Sequence, residues 1–437
     1  MNKSNYDLRG PFSKALRILL VDTNRWPVTA RLAIRFCSLG CSVAAVCPMP
    51  GHPVEAVRGI QQVFPYSGSY PVLSLKKAIQ EFNPDIVVPS CDRSVQHLHE
   101  LHHLSKKQGK AGEKFTSLIE YSLGPAASFQ PISCRYELLC AARSEGVLVP
   151  DTVRIDTFED LNQLMDGSWV IKADGTWGGR GVRVADTLDD AKRSFLELTQ
   201  APGVVSLAKC LVLNRNRNWI LQDWKRPRRA VIAQAFISGS PANCAVVCWE
   251  GKLLAGVAVE VISTQDAKGP ATVVEIVPGS AMLDAAAKIA KHFHLSGFFG
   301  LDFMIDNTTG ATYLIEMNPR CTPPCPLNLD YERDLVSAFV SQLTGQRPAY
   351  SCATIEENTI AYFPAAFTAQ SAFPEEHATG PIYKDVPHGE PELIHQLLHP
   401  WSERSVIGRW VDIIRRNRLW NTKQERRPLK SIPAVKM

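Results

Sequence analysis

The chain has 437 residues, 45% of them hydrophobic and 21% charged, and its 48 basic and 43 acidic side chains leave a net charge of +5. At about 150 residues per domain, that length predicts roughly three domains with sizeable cores. The composition excludes a collagen, a disulfide-stapled miniprotein and an acidic disordered chain, and the charge excess is too small to argue for nucleic acid.

The first segment alternates strand and helix. Arg17 to Asp22 (RILLVD) reads as a buried parallel-type strand, Thr29 to Leu39 as a helix stopping at Gly40, and Cys41 to Cys47 as a second strand. Ser74 to Phe82 is helical, Asn83-Pro84 breaks it, and Asp85 to Pro89 is a third strand. Such short units predict an open parallel sheet of Rossmann-like type over residues 1–124. No Gly-x-Gly-x-x-Gly follows the first strand, so dinucleotide binding is not expected there.

A new unit starts at the Gly124-Pro125 turn. Cys134 to Glu145 has amphipathic helical spacing; Trp169 to Ala173 and Val182 to Ala185 read as strands flanking Asp174-Gly-Thr-Trp-Gly-Gly-Arg-Gly181. Strands follow at Ala230 to Ile237, Ala245 to Trp249 and Leu253 to Val261, then a helix from about Ala281 to Phe293. Gly300 to Ile305 and Ala311 to Met317 are paired by Asp306-Asn-Thr-Thr-Gly310, a hairpin turn. After about residue 346 the chain becomes Pro-rich and irregular and ends in a basic tail.

Twelve cysteines are scattered without a Cys-x-x-Cys, and the close pairs Cys37/Cys41, Cys244/Cys248 and Cys321/Cys325 are spaced too widely for structural zinc hooks. Reduced, partly buried thiols in a reducing cytosol are expected. The first apolar run, Ala15 to Val21, is interrupted by Arg17 and closed by Asp22, which suits a strand and not a signal peptide. No apolar stretch approaches the ~20 residues of a membrane helix.

Two local patterns carry chemistry. Lys172 on a strand precedes a loop whose Gly175, Gly178, Gly179 and Gly181 let backbone N–H groups approach an anion, with Arg180 available from the loop. The alternative is a plain hairpin with a surface lysine. Second, strand periodicity puts Glu316 and Asn318 on one face of a late strand, where Asp302 of its hairpin partner can join them. Two carboxylates and an amide oxygen suit Mg²⁺ shared with nucleotide phosphates. Arg320 follows directly. The alternative is a solvent-facing acidic pair, but Phe303, Ile305, Leu314 and Ile315 flank these positions, and buried carboxylates need partners.

With these residues in order, over about 125–345, the chain resembles the ATP-grasp enzymes, the carbamoyl-phosphate-synthase-like proteins and carboxylate–amine ligases above all. The ordered set is Arg135, Lys172 with its glycine loop, Gln234-Ala-Phe-Ile237, Asp302 and Glu316-Met-Asn-Pro-Arg320. The resemblance implies a Rossmann-like pre-ATP-grasp domain (1–124), a two-lobed α+β ATP-grasp domain (125–345) and a C-terminal extension (346–437). It implies ATP and Mg²⁺, or Mn²⁺ in its place, as cofactors. Arg135 would sit on the α-phosphate and Lys172 would bridge α- and β-phosphates. Gly178, Gly179, Arg180 and Gly181 would close over ATP. The backbone of Gln234, Ala235, Phe236 and Ile237 would read adenine, with Met304 packed on the purine. Asp302, Glu316 and Asn318 would hold the metal, and Arg320 would stabilise the transferring phosphoryl group. The implied reaction phosphorylates a small-molecule carboxylate to an acyl phosphate that an amine captures. Carboxyphosphate chemistry on bicarbonate and a nucleotide-binding regulatory module without turnover are the alternatives. One grasp unit and no glutaminase triad weigh against complete carbamoyl-phosphate synthesis. One departure is that residues 238–243 (SGSPAN) lack the carboxylate that relatives often use on the ribose, leaving Ser240 or Asn243 as neutral substitutes. Relatives of this kind often dimerise.

His97, His99, His102 and His103 lie at helical spacing and read as a polar helix face before a metal site. Cys321 and Cys325 read as part of a structural loop. The basic, Trp-bearing stretch Arg215 to Arg229 reads as a solvated insertion, with single-stranded nucleic acid as the lesser reading. Trp401 to Lys430 reads as a docked helix with a disordered end, contact with an anionic membrane surface being the alternative. The substrates are expected, from position, to be set near the loop after Asp22, around Cys91-Asp-Arg93 and at Cys321 to Leu327, and residues 362–364 and 385–391 could cap the acceptor site.

Overall fold

The computed structural model describes residues 15–175, 181–199, 230–265, 269–330, 332–346, 354–368 and 380–399. Gly178, Gly179, Arg180, the Arg215–Arg229 stretch and the basic tail lie outside the described residues.

Strands β1 (Arg17–Val21), β2 (Ser42–Cys47), β3 (Ile60–Pro65) and β4 (Ile86–Pro89) form a parallel sheet in the order β3-β2-β1-β4. The unbroken apolar runs of β1, β2 and β4 reflect cover on both faces. Ile18, Leu20, Val43 and Ala45 pack with helix Pro27–Ser38, whereas Leu19, Val21, Ala44 and Val46 pack with helices Pro71–Phe82, Asp92–Lys106 and Glu113–Leu123. Strand β3 escapes prediction because it is an edge, with Gln61 and Gln62 exposed, and carries no apolar run.

The second sheet is antiparallel, with order β5-β8-β6-β7. Its strands are β5 (Thr152–Ile155), β6 (Trp169–Ala173), β7 (Val182–Ala185) and β8 (Val231–Ala235), backed by helix Leu188–Thr199. Trp169, Ile171, Ala173, Val231 and Ala233 turn into its core, which sends Lys172 and Gln234 to the opposite face.

The third sheet runs β13-β12-β9-β10-β11-β14-β15. It comprises β9 (Gly239–Trp249), β10 (Lys252–Thr264), β11 (Ala271–Val277), β12 (Gly297–Asp306), β13 (Thr312–Asn318), β14 (Thr359–Ala361) and β15 (Ile382–Lys384). All its pairings are antiparallel except β14 with β15. One face packs on helices Arg135–Ser144 and Ser280–Phe293 through Cys244, Val246, Leu301 and Phe303. The other face shares a core with the parallel sheet: Ala245, Val247 and Phe298 join Phe36 and Ile18. The β12–β13 turn is the expected hairpin. The Asp306 side chain accepts from the N–H groups of Thr308 and Thr309 at 2.9 and 2.7 Å, and Gly310 takes φ +69°.

The segment after residue 346, expected to be irregular, supplies β14, β15 and helix Pro391–Leu398. This segment reaches the parallel sheet. Asp385 pairs with Arg31 of helix Pro27–Ser38, and Glu390 Oε2 accepts from Arg58 N–H at 3.0 Å, so it fastens the large sheet to the parallel one. The histidine helix also differs from expectation. His97 and His102 are buried, bonded to Tyr66 and Glu120, and His99 stacks on Phe129 at 4.0 Å. The His face is a packed seam, and no group of three metal-ligating side chains occurs among the described residues.

Candidate active site

Lys172 enters from β6 and is buried. Its Nζ donates to Gln234 Oε1 at 2.6 Å and to Ile315 O at 3.5 Å. Burial, then the Arg135 charge, depress its pKa to about 8. Gly181, at the far end of the glycine loop, accepts from Ala173 N–H at 2.9 Å and closes that loop's base.

On the large sheet, β12 and β13 bring Asp302 opposite Glu316 and Gly300 opposite Asn318, so the expected trio shares one face. Asn318 Nδ2 donates to Asp302 Oδ2 at 2.9 Å. Burial and the Glu316 charge push the Asp302 pKa up to about 6. Burial opposes the Glu316 carboxylate too, but Arg135 and Lys172 outweigh it and hold its pKa below the ordinary value.

Arg135 opens helix Arg135–Ser144 and spans the two sheets. Its Nη1 donates to Asp174 Oδ1 at 2.9 Å, and its Nη2 to Glu316 Oε1 at 2.7 Å. Burial raises the Asp174 pKa against the opposing pull of Arg135. Arg320 Nη2 donates to Asn318 Oδ1 at 3.0 Å and Nε to Asp92 Oδ2 at 3.0 Å, with Trp26 across its face at 4.9 Å. A cleft with about 560 Å³ of open space is lined by Asp92, Gln96, Arg135, Asp174 and Glu316 on its polar side and by Val95, Ile132, Leu138 and Met317 on its apolar side.

The adenine-reading segment is only partly as expected. Gln234 is buried on Lys172, while Phe236 is exposed. Ala235 N–H donates to Asp151 O at 2.8 Å and Phe236 N–H to Ser168 O at 3.0 Å, so those two groups are already committed. Met304 lies half-buried two residues beyond Asp302 on β12. Asn243 sits opposite Asp302 across β9 and β12, in line with Glu316.

Buried polar atoms without a protein partner gather here: Arg135 Nε, Gln234 Nε2 and Asn243 Oδ1. Such groups mark places where a polar ligand belongs. Asp174, directly after a strand and before a glycine loop, was given no role from the sequence although its position carried a usable signal. The loop after Asp22, which holds Trp26, and Cys91-Asp92-Arg93 were expected to border the substrate pocket, but nothing local tied them to Arg320, which Asp92 meets across 228 residues.

Cys321 and Cys325 are fully buried just beyond Arg320, with Thr322 N–H donating to Cys325 Sγ at 3.3 Å. The ten described cysteines are all free thiols.

Residues 133–324 match the family described as ATP-grasp domain. Among solved structures, the chain is similar to N5-carboxyaminoimidazole synthetase from Staphylococcus aureus complexed with ADP, at 14% identity and TM-score 0.53, covering 79% of this chain and 80% of that one. It is also similar to L-amino acid ligase from Bacillus licheniformis, at 12% identity, TM-score 0.51 and 76% and 75% coverage. Biotin carboxylase from Campylobacter jejuni gives 15% identity, TM-score 0.54 and 78% and 72% coverage. At such identities the likeness is one of fold. No curated protein matches the chain in sequence. With the parallel sheet in front and the antiparallel sheets around Lys172, Glu316 and Arg320 behind, this chain carries an ATP-grasp domain over residues 133–324.

Proposed function

We propose that this chain is an ATP-dependent ligase that phosphorylates a carboxylate and couples it to an amine, releasing ADP and phosphate. The observation that carries this reading is the convergence of Arg135, Asp174 and Glu316 on one cleft, with Lys172, Asp302 and Arg320 interacting with one another and with that group through their charges. In our reading Lys172 and Arg135 hold the phosphates of the nucleotide. Displacing Gln234 Oε1 from Lys172 Nζ frees a donor for a phosphate oxygen.

The donor set fits a divalent cation. Asp302 and Glu316 face each other, half-buried, and each raises the other's cost of ionising. Asn318 joins as a ligand only by turning its amide, since its oxygen is on Arg320 and its nitrogen on Asp302. When bound, Mg²⁺·ATP supplies the phosphoryl group and the positive charge that offsets its oxygens. The carboxylate oxygen of the substrate attacks the terminal phosphorus as the bond to the ADP oxygen breaks. The amine then forms the new bond to the acyl carbon, and phosphate leaves with the electron pair. Arg320 offers its remaining N–H groups to the transferring phosphoryl oxygens. The apolar side of the cleft, including Val95, Leu138 and Met317, excludes water from an acyl phosphate.

Phosphate release from Mg²⁺·ATP, measured against panels of carboxylates and amines with mass spectrometry of the product, tests the proposal. We expect release only with a matched pair, and its loss in Lys172→Ala and Glu316→Ala while both remain folded. Turnover surviving in both variants would overturn the site. Nucleotide binding with no ADP formed from any pair would favour the regulatory alternative, and ATP cleavage with bicarbonate alone would favour carboxyphosphate chemistry.

A further inference from the structure

Arg320 is held from the parallel-sheet side of the molecule. A guanidinium carries five N–H groups in a rigid fork. Nε donates to Asp92 Oδ2 at 3.0 Å, Nη1 to Cys321 O at 3.1 Å and Nη2 to Asn318 Oδ1 at 3.0 Å. The Trp26 ring covers one face at 4.9 Å. One N–H on each Nη is left over for a ligand. The backbone joins in: Cys321 N–H donates to Pro89 O at 3.3 Å, tying the residue after Arg320 to the end of β4, just ahead of Asp92.

Asp92 opens helix Asp92–Lys106 and itself lines the cleft. Its pull on Nε runs against a second attraction, because the Asp302 charge also stabilises the Arg320 cation. A long cationic side chain beside two carboxylates settles onto them unless something holds it elsewhere. Asp92 supplies that counter-pull, and Trp26 blocks the side through which the fork would swing.

We propose that Asp92, backed by Trp26, is a positioning residue that aims the Arg320 fork at the terminal phosphoryl group of a bound nucleotide and keeps it off the Asp302–Glu316 pair. The proposal rests on the nucleotide site proposed above. It makes the parallel sheet part of the reaction centre, with two side chains that act through Arg320 and not on the nucleotide.

The test is calorimetry of the full chain with Mg²⁺·ADP and with Mg²⁺ and the imido-linked, non-hydrolysable ATP analogue. Arg320→Ala should weaken the analogue about tenfold, the scale of one charge-assisted contact, and leave ADP within about twofold. Asp92→Ala should show the same split, Asp92→Asn should follow it by losing charge without shape, and Asp92→Glu should restore much of the analogue's affinity. Trp26→Leu should give a smaller loss of the same kind. The double variant Asp92→Ala/Arg320→Ala should be no worse than Arg320→Ala alone. Additive losses, an equal fall for ADP, or an unchanged Asp92→Asn would overturn the proposal. A wild-type chain that binds neither nucleotide overturns the underlying site, and an Arg320→Ala chain that binds both normally overturns the role of Arg320 itself.

Discussion

Lys172 shows how one residue carries both the function and a cost. Burial and Arg135 bring its pKa from 10.5 to about 8, so the folded chain releases a proton that the unfolded chain keeps. Between about pH 8 and 10.5 the unfolded state binds more protons, and stability from this group rises with pH across that window. Below it the charged ammonium is a burden. Lys172→Met should therefore stabilise the ligand-free protein at pH 7 by roughly 2–3 kcal/mol, with the gap closing as pH climbs to 10. Thermal unfolding of both proteins at the two pH values checks this, and a gap that widens with pH would contradict it. Lys172 was legible in the sequence because strand periodicity and the glycine loop are local. The regions of Trp26 and Asp92 were expected at the substrate pocket, but their contact with Arg320 was not legible, because it exists only once distant chain segments meet.

At the scale of elements, helix Asp92–Lys106 is the instructive case. Its histidines read as a polar face, yet Leu98, His99, Leu101 and His102 are packed against helix Glu113–Leu123 and Phe129. His99 lies flat on Phe129 with rings 7° apart, and burial together with His102 lowers its pKa to about 4. The unfolded chain takes up a proton near the ordinary 6.5, so stability falls as pH drops from about 6.5 to 4. His99→Phe should remove up to about 3 kcal/mol of that acid sensitivity. Urea midpoints at pH 7 and 4.5 measure it, and an identical acid loss in the variant would refute the assignment. Helical spacing alone could not tell a wet face from a seam, since histidine suits both.

At the scale of the molecule, the parallel sheet and the large antiparallel sheet are joined through one core and by ion pairs that include Arg320–Asp92. Arg35 Nη2 donates to Asp334 Oδ2 at 2.7 Å with both side chains nearly dry, and Arg31 pairs with Asp385 one helical turn away. Removing one partner strands a buried charge. Arg35→Ala should cost about 3–5 kcal/mol. Combining Arg35→Met with Asp334→Asn should recover part of it, because both charges are gone and the amide oxygen left at that position still accepts from Ser337 N–H. Denaturant unfolding followed by tryptophan fluorescence and by circular dichroism should coincide in one transition for the wild type. Separate transitions would show that the two sheets are not one cooperative unit.

The chain by itself determined the elements and the chemical inventory. Apolar runs, period-two alternation and glycine turns act over a few residues, so the strands bearing Lys172, Asp302 and Glu316 and the resemblance to ATP-grasp enzymes could be read directly. Tertiary structure alone decided what those side chains face: Gln234 on Lys172, Asn318 turned toward Arg320, and Asp92 on the guanidinium. The first and last join segments far apart along the chain, and the turn of the Asn318 amide is fixed by its bond to Asp302 on the neighbouring strand. Their geometry is set by how whole sheets pack, which no local spacing records.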